Sequence, residues 1–142
     1  MTDDAFDSLM LLQKSFLHPK SVKLPHDKQK KVFHVSSVGT KDTFLLDCHR
    51  QGTYEMKLMN QMRYGKDFPM VRLEINAPPH MNPDSYVTSR NHIHIYKEGY
   101  GMKWAYELSD KFPASMNMLN LFVIFCEYCG IGLLNVSLQG VI

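Results

Sequence analysis

The residues best equipped for chemistry fall in two runs, Arg72-Leu73-Glu74-Ile75-Asn76 and His92-Ile93-His94-Ile95-Tyr96. A proline-rich stretch carrying His80 and Asp84 lies between them. Side chains alternate along a strand, so Arg72, Glu74 and Asn76 share one face, and His92, His94 and Tyr96 share another. If the two strands are neighbours, those faces coincide. Pro78, Pro79 and Pro83 each fix a backbone angle, so the connecting loop is stiff and suited to holding His80 and Asp84 in place.

Three chemistries fit these residue types. The first is metal binding, with His92 and His94 reaching one ion and His80 or Asp84 completing the set. Cys126-Glu127-Tyr128-Cys129 adds a Cys-x-x-Cys pair, but in an apolar helix, where two cysteines three apart fill a core. Neither set is closed by itself, so no metal and no other cofactor is expected. The second chemistry is metal-independent cleavage of RNA. It needs a base for the ribose 2′-hydroxyl, an acid for the leaving oxygen and cations for the phosphorane. Glu74, His80, His92 and His94 supply acid and base, with Arg72 on the phosphate and Arg50, Arg63 and Arg90 at the margin. The third is binding without turnover. Tyr96, Lys97, Tyr100, Lys103, Trp104 and Tyr106 make an aromatic and basic hairpin of the kind that stacks on unpaired bases or meets a protein. Trp104 is expected in the core of that hairpin. A serine or cysteine nucleophile finds no support, because there is no Gly-x-Ser-x-Gly elbow and Cys48-His49 has no third partner.

The elements that must position these residues read as follows. Residues 2–17 follow a helical period, capped by Thr2 or Asp3, with acids in the first turn and Pro19 as a stop. Residues 18–31 are polar and lysine-rich, and read as a solvated connector. Residues 32–38 and 43–48 flank Gly39-Thr40-Lys41-Asp42 as a hairpin. Residues 54–64 alternate loosely, 70–76 cleanly, and 91–97 pairs with 103–108 around Gly99-Tyr100-Gly101. A second helix spans about 114–128, capped by Ser115 and stopped by Gly130, with Met118, Leu121, Phe122, Phe125 and Cys129 as its core stripe. The tail from Leu133 to Ile142 adds a short strand at most. The expectation is a single α+β domain over 1–142. A curved antiparallel sheet of five to six strands carries an N-terminal and a C-terminal helix on one face. Ile93 and Ile95 should be buried, with His92 and His94 facing away from the core.

Bulk composition constrains function less. The chain has 142 residues, 44% hydrophobic and 21% charged, which fits one globular domain. A net charge of +2 is too small to argue nucleic-acid binding by itself. Three cysteines and an acidic start, Met1-Thr2-Asp3-Asp4, point to a reducing cytoplasm without a disulfide framework. The longest apolar run, 121–126, is too short to cross a membrane.

The run 71–76, then Pro78-Pro79-His80 and Asn82-Pro83-Asp84, then His92-Ile93-His94-Ile95-Tyr96-Lys97-Glu98-Gly99-Tyr100-Gly101 and Lys103-Trp104-Ala105 resembles an uncharacterised family of small bacterial proteins, often carried on mobile elements. Phe44-Leu45-Leu46-Asp47 and Tyr128-Cys129 extend the likeness to about two-thirds of the chain. The chain departs from that pattern at Ala77, Met81, Ser85 and Met102, where Gly, Thr, Gly and Asp would stand. More distantly, an acidic strand, a His-bearing loop and His-x-His resemble toxins of toxin–antitoxin systems that act on RNA. The family likeness supplies no established activity; the His/Arg chemistry and the more distant likeness point to RNA or a ribonucleoprotein as the partner. The leading expectation is a metal-independent ribonuclease of toxin or defence type, with an antitoxin as its protein partner. The alternative is a non-enzymatic inhibitor from a phage or mobile element that binds a host defence complex such as an RNA-guided nuclease.

Overall fold

The helical period of the first residues gives way early. In the computed structural model, Thr2 caps α1 (Asp3–Leu11), its side chain accepting from the Ala5 amide at 3.0 Å, with Asp3 and Asp4 in the first turn. The helix stops at Leu12, which is extended (ψ 138), rather than running on to Leu17. The chain then enters β1 (Lys14–Phe16), whose Lys14 amide donates to the Gly130 carbonyl at 2.8 Å. Pairing with distant strands overrides the local helical pattern. The structure describes residues 1–17, 21–52, 56–113, 117–134 and 136–139. The expected stop at Pro19, the strand start at Tyr54, the cap at Ser115 and the tail end at Gly140–Ile142 lie outside them.

The remaining elements are β2 (Ser21–Lys23), β3 (Lys30–Ser37), β4 (Thr43–Gln51), β5 (Lys57–Tyr64), β6 (Phe68–Ile75), β7 (His92–Ile95), β8 (Ala105–Glu107), α2 (Met118–Tyr128), β9 (Ile131–Gly132) and β10 (Ser137–Gln139). One sheet has eight strands in the order β8-β7-β6-β5-β4-β3-β1-β9, and β10 pairs with β2 in a second sheet of two. The sheet is therefore larger than the five or six strands expected, and it is not purely antiparallel. β1 with β9 and β2 with β10 are parallel. Part of the polar connector is thus strand: β2 uses its backbone to meet the tail, while Ser21 and Lys23 stay exposed.

The hairpins follow the sequence closely. β3 and β4 pair from Lys30↔His49 to Ser36↔Thr43, and Gly39 in the turn has φ 91, a conformation that glycine adopts without a Cβ clash. β5 and β6 continue the meander, with a bulge between Met62 and Arg63. Asn117 caps α2, accepting from the Asn120 amide at 2.8 Å. Phe44, Leu46, Met62, Val71, Leu73 and Ile93 line one face of the sheet and share a core with Phe6 of α1 and Leu121, Phe122 and Phe125 of α2. The opposite face carries Asp47, Gln61, Arg72, Glu74, His92 and His94, by the same registers. No helix among the described residues is long and apolar enough to cross a membrane.

Candidate functional site

The second face acquires its chemistry from register. Antiparallel pairing sets Glu74 of β6 opposite His92 of β7, and Arg72 opposite His94. Directly opposed side chains on one face lie within contact distance, so these four residues meet. The condition left open by the sequence, that the two strands be neighbours, holds here, and the two faces coincide for these four. His92 and His94 point away from the helices, yet they are not open to solvent: they are 0% and 3% exposed. The 77–91 loop folds over them. Ile93 is buried as expected, and Ile95 only partly.

That loop is fastened at several points. Asn82 is 7% exposed, and its side chain donates to the Ala105 carbonyl and accepts from the Ala105 amide, both at 2.8 Å. The amide thus completes the edge of β8 as a neighbouring strand would. The Thr88 hydroxyl accepts from the His80 amide at 3.0 Å, and the Glu107 carboxylate accepts from the Ser89 amide at 2.6 Å. Arg90 donates to the carbonyls of Asn76 at 3.1 Å and Ala77 at 3.4 Å, closing the loop at its base.

Each imidazole spends one nitrogen on the backbone. His92 Nδ1 lies 2.9 Å from the Ser89 carbonyl, with the Thr88 hydroxyl at 3.1 Å. His94 Nδ1 lies 2.8 Å from the Met102 carbonyl, and His80 Nε2 lies 2.7 Å from the Lys103 carbonyl. A carbonyl only accepts, so each of these nitrogens carries its hydrogen. The other nitrogens of His92 and His94 turn to Glu74: His92 Nε2 is 3.0 Å from Oε2, and His94 Nε2 is 3.7 Å from it. Arg72 Nε sits 3.1 Å from the other oxygen, Oε1. It makes no aligned hydrogen bond there, so the contact is one of charge. The His80 ring packs edge-on against His94 with centroids 4.6 Å apart, and His92 and His94 are 5.0 Å apart.

These neighbours shift both partners. The His92 hydrogen bond, with the nearby His94 ring and the Arg72 charge, holds the Glu74 carboxyl far below the usual carboxylate range despite its partial burial. Burial works to lower the pKa of His92. The Glu74 hydrogen bond, the Ser89 carbonyl and the charges of Glu74 and Glu107 outweigh it, and the pKa is raised. Glu74 keeps 24% of its side chain exposed. It opens onto a groove of about 180 Å³ bordered by His49, Gln51, Lys57, Met59 and Pro78.

Other expected residues divide. Lys97, Tyr100 and Lys103 lie exposed on the hairpin, where the Lys97 ammonium sits 5.8 Å from the Tyr100 ring and 5.3 Å from the Trp104 ring. Trp104 is only partly buried there, not a core residue. Tyr96 does not join the His face. β7 ends at Ile95, so alternation does not carry past it; the Tyr96 ring packs on Phe6 and Phe68 at 5.7 and 5.0 Å, and its hydroxyl donates to the Met1 carbonyl. Asp84 is exposed in the loop tip and accepts from the Tyr86 amide at 3.1 Å, outside the cluster. Arg63 is committed to Asp47 through bonds of 2.7 and 2.8 Å. Cys126 and Cys129 are sealed in the core, and burial pushes the Cys129 thiol up to about 12. The residues that sequence reasoning missed are Asn82, Thr88, Ser89 and Glu107 around the imidazoles and His49 and Lys57 in the groove. Only the polar run Thr88-Ser89-Arg90-Asn91 hinted at the first group; the second group depends on the register of β4 and β5.

Among the described residues, Glu74, His92 and His94 form the one group of three or more metal-ligating side chains, with ligand atoms within 4.8 Å of one another. Comparison with curated proteins and with solved structures gives no match. Over residues 1–131 the chain matches a family described as "Family of unknown function (DUF6978)", and it belongs to that family.

Proposed function

We propose that this protein binds single-stranded RNA on the 97–103 hairpin and cleaves it at the Glu74–histidine cluster, as a metal-independent ribonuclease of toxin or defence type. The observation that carries this reading is a physical connection. His94 and His80 donate to the backbone carbonyls of Met102 and Lys103, so the base-stacking hairpin and the acid–base groups form one unit. On that unit an RNA strand would stack a base on the exposed Tyr100 ring and set its phosphates near Lys97 and Lys103. Glu74, reachable from the groove, accepts the proton of the ribose 2′-hydroxyl and passes it to His92 Nε2, 3.0 Å from its Oε2. His80, partly exposed on its stiff loop, protonates the leaving oxygen. Arg72 balances the phosphorane charge. His92 and His94 are sealed, so they act through Glu74 and are positioning residues. The three free, buried cysteines suit a reducing cytoplasm.

The test is cleavage of labelled RNA in excess chelator by the wild type, Glu74→Gln and His80→Ala. Each variant is expected to be slower by about a hundredfold or more. Equal cleavage by all three marks a contaminant and ends the ribonuclease reading.

A second reading has its own support. The loop over the histidines is held by Asn82, Arg90 and Glu107, which makes this face rigid, and rigid faces suit binding without turnover. The protein would then be an inhibitor that holds a host defence ribonucleoprotein through the same hairpin. RNA left intact, together with a partner recovered by the wild type and lost on Tyr100→Ala, supports it.

A further inference from the structure

We propose that Glu74, His92 and His94 form a binding site for one divalent transition ion of the zinc type. This goes beyond the ribonuclease reading and does not need it. Nothing in the residue types requires both buried rings to turn the same nitrogen toward one carboxylate oxygen. Two backbone carbonyls enforce it: Ser89 holds His92 Nδ1 and Met102 holds His94 Nδ1, which leaves both Nε2 atoms facing Glu74 Oε2 at 3.0 and 3.7 Å. Anchoring one imidazole nitrogen on a carbonyl fixes the tautomer and the ring plane, and this is the outer support that metal-ligating histidines have. Arg72 occupies Oε1 at 3.1 Å, so the carboxylate presents Oε2 to the two rings.

The spacing agrees. Bonds of about 2.0–2.2 Å to nitrogen and oxygen place two ligands of one ion about 3–4 Å apart. The three ligand atoms here lie within 4.8 Å of one another, so small ring movements bring them onto one ion. Two imidazoles and a carboxylate are borderline donors that favour zinc, cobalt or nickel over magnesium or calcium. Two histidines and one glutamate leave a coordination position open, which is the ligand count of a reactive centre, not a closed structural one. The partly exposed Glu74 and its groove give an entry path. The ion takes the place of any proton on the two Nε2 atoms and releases it to solvent. One consequence rests on the acid–base reading: ion and proton transfer compete for Glu74, so a bound ion suppresses cleavage.

Protein stripped with chelator and then dialysed free of it is titrated with Zn²⁺ by calorimetry and with Co²⁺ by visible absorption. One ion per chain is expected, with Glu74→Gln weakening Zn²⁺ binding at least tenfold and Cys126→Ser leaving it unchanged. If Glu74→Gln fails to fold, ring-nitrogen resonances of the wild type serve instead: Zn²⁺ must shift Nε2 of His92 and His94. The proposal is overturned by no saturable binding, by binding that Glu74→Gln leaves intact, by binding lost on Cys126→Ser, or by unshifted Nε2 resonances at saturation. RNA cleavage is scored separately. Ion binding without cleavage keeps this site and removes the ribonuclease; cleavage in chelator without ion binding does the reverse.

Discussion

Two polar clusters are buried near opposite edges of the sheet, and they differ in what they leave unspent. On β1, Lys14 is 2% exposed, and its ammonium donates to three carbonyls: Leu12 and Cys129 at 2.9 Å and Met10 at 3.3 Å. An ammonium has three hydrogens, so nothing remains for a ligand. Those carbonyls come from the ends of α1 and α2, where helices run out of backbone donors. Lys14 therefore staples two helix ends to the sheet. On β6 and β7, His92 and His94 each spend one nitrogen on a backbone carbonyl and turn the other to Glu74, whose carboxylate still reaches solvent. Lys14 is spent wholly inside the scaffold, whereas the Glu74 cluster is closed by side-chain contacts to a carboxylate that stays accessible.

The sharpest break of that contrast comes at Lys14. Lys14→Met keeps the apolar stem but leaves three carbonyls without a donor. The expected loss is about 1–3 kcal/mol at neutral pH, measured by urea unfolding, because orphaned buried acceptors cost about that much. Relief of a desolvated ammonium opposes the loss and keeps it from being larger. The same desolvation lowers the Lys14 pKa to about 8 from the ordinary 10.5. The unfolded chain then binds more protons than the native one between those values. Stability from this group is complete above about 10.5 and is lost as pH falls through about 8. The stability gap between wild type and Lys14→Met should therefore widen as pH rises from 8 to 10.5. Cys48 and Cys129, both pushed up to about 12, work in the opposite direction in both proteins and largely cancel in the difference. A gap that stays flat or narrows would show that Lys14 is not held as described.

The next expected effect lies at the loop that covers the histidines. Asn82→Ala removes two hydrogen bonds to the backbone of Ala105 and leaves that amide and carbonyl unpaired. About 1–2 kcal/mol should be lost. Amide exchange at Ala105 should accelerate more than exchange in β4 and β5, because loosening is confined to the edge. Faster exchange throughout the sheet would mean that the loop belongs to the core and is no separate cover.

How far these two regions could be read in the sequence follows from what sets each. Clean alternation over residues 71–75 and His92–Ile95 marks the strands and their faces, since the period of a strand is local information. That the two strands pair, and so bring Glu74 to the histidines, is a condition that only the register settles. The cover over the histidines was not local. It depends on Asn82 standing in for a strand partner and on carbonyls of Ser89, Met102 and Lys103. Backbone acceptors have no signature in residue identity, so the site looked open when it is closed. Tyr96 failed because parity was extended one residue past the end of β7. Lys14 was hidden for a third reason. Its segment continues the helical pattern of α1, and only pairing with β3 and β9, far away in the chain, turns it into strand. β1 and β9, which pair with each other across most of the chain, are the two strands by which the large sheet exceeds six.

The smallest expected effect tests whether the loop is held at a cost. Ser85 has φ 74, in the left-handed region where a Cβ clashes with the backbone. The turn needs that angle, because the Ser85 amide closes on the Asn82 carbonyl at 2.9 Å and the Asn82 amide on the Tyr86 carbonyl at 2.8 Å. Both bonds sit beside the side chain that anchors the loop to β8. Glycine adopts this φ freely, and it is the residue that the resemblance leads one to expect here. Replacing a left-handed residue by glycine relieves about 1–2 kcal/mol of strain, while the looser unfolded chain takes back about 0.5–1. Ser85→Gly should therefore stabilise the protein by a few tenths to about 1 kcal/mol in thermal unfolding. Ser85 is exposed and makes no contact with Glu74, His92 or His94, so the proposed Zn²⁺ binding and RNA cleavage should change less than twofold. A destabilised Ser85→Gly would show that the serine hydroxyl contributes to the turn. A stabilised variant with altered Zn²⁺ binding would show that strain at the loop tip reaches the histidines, and that the cover and the cluster are one device.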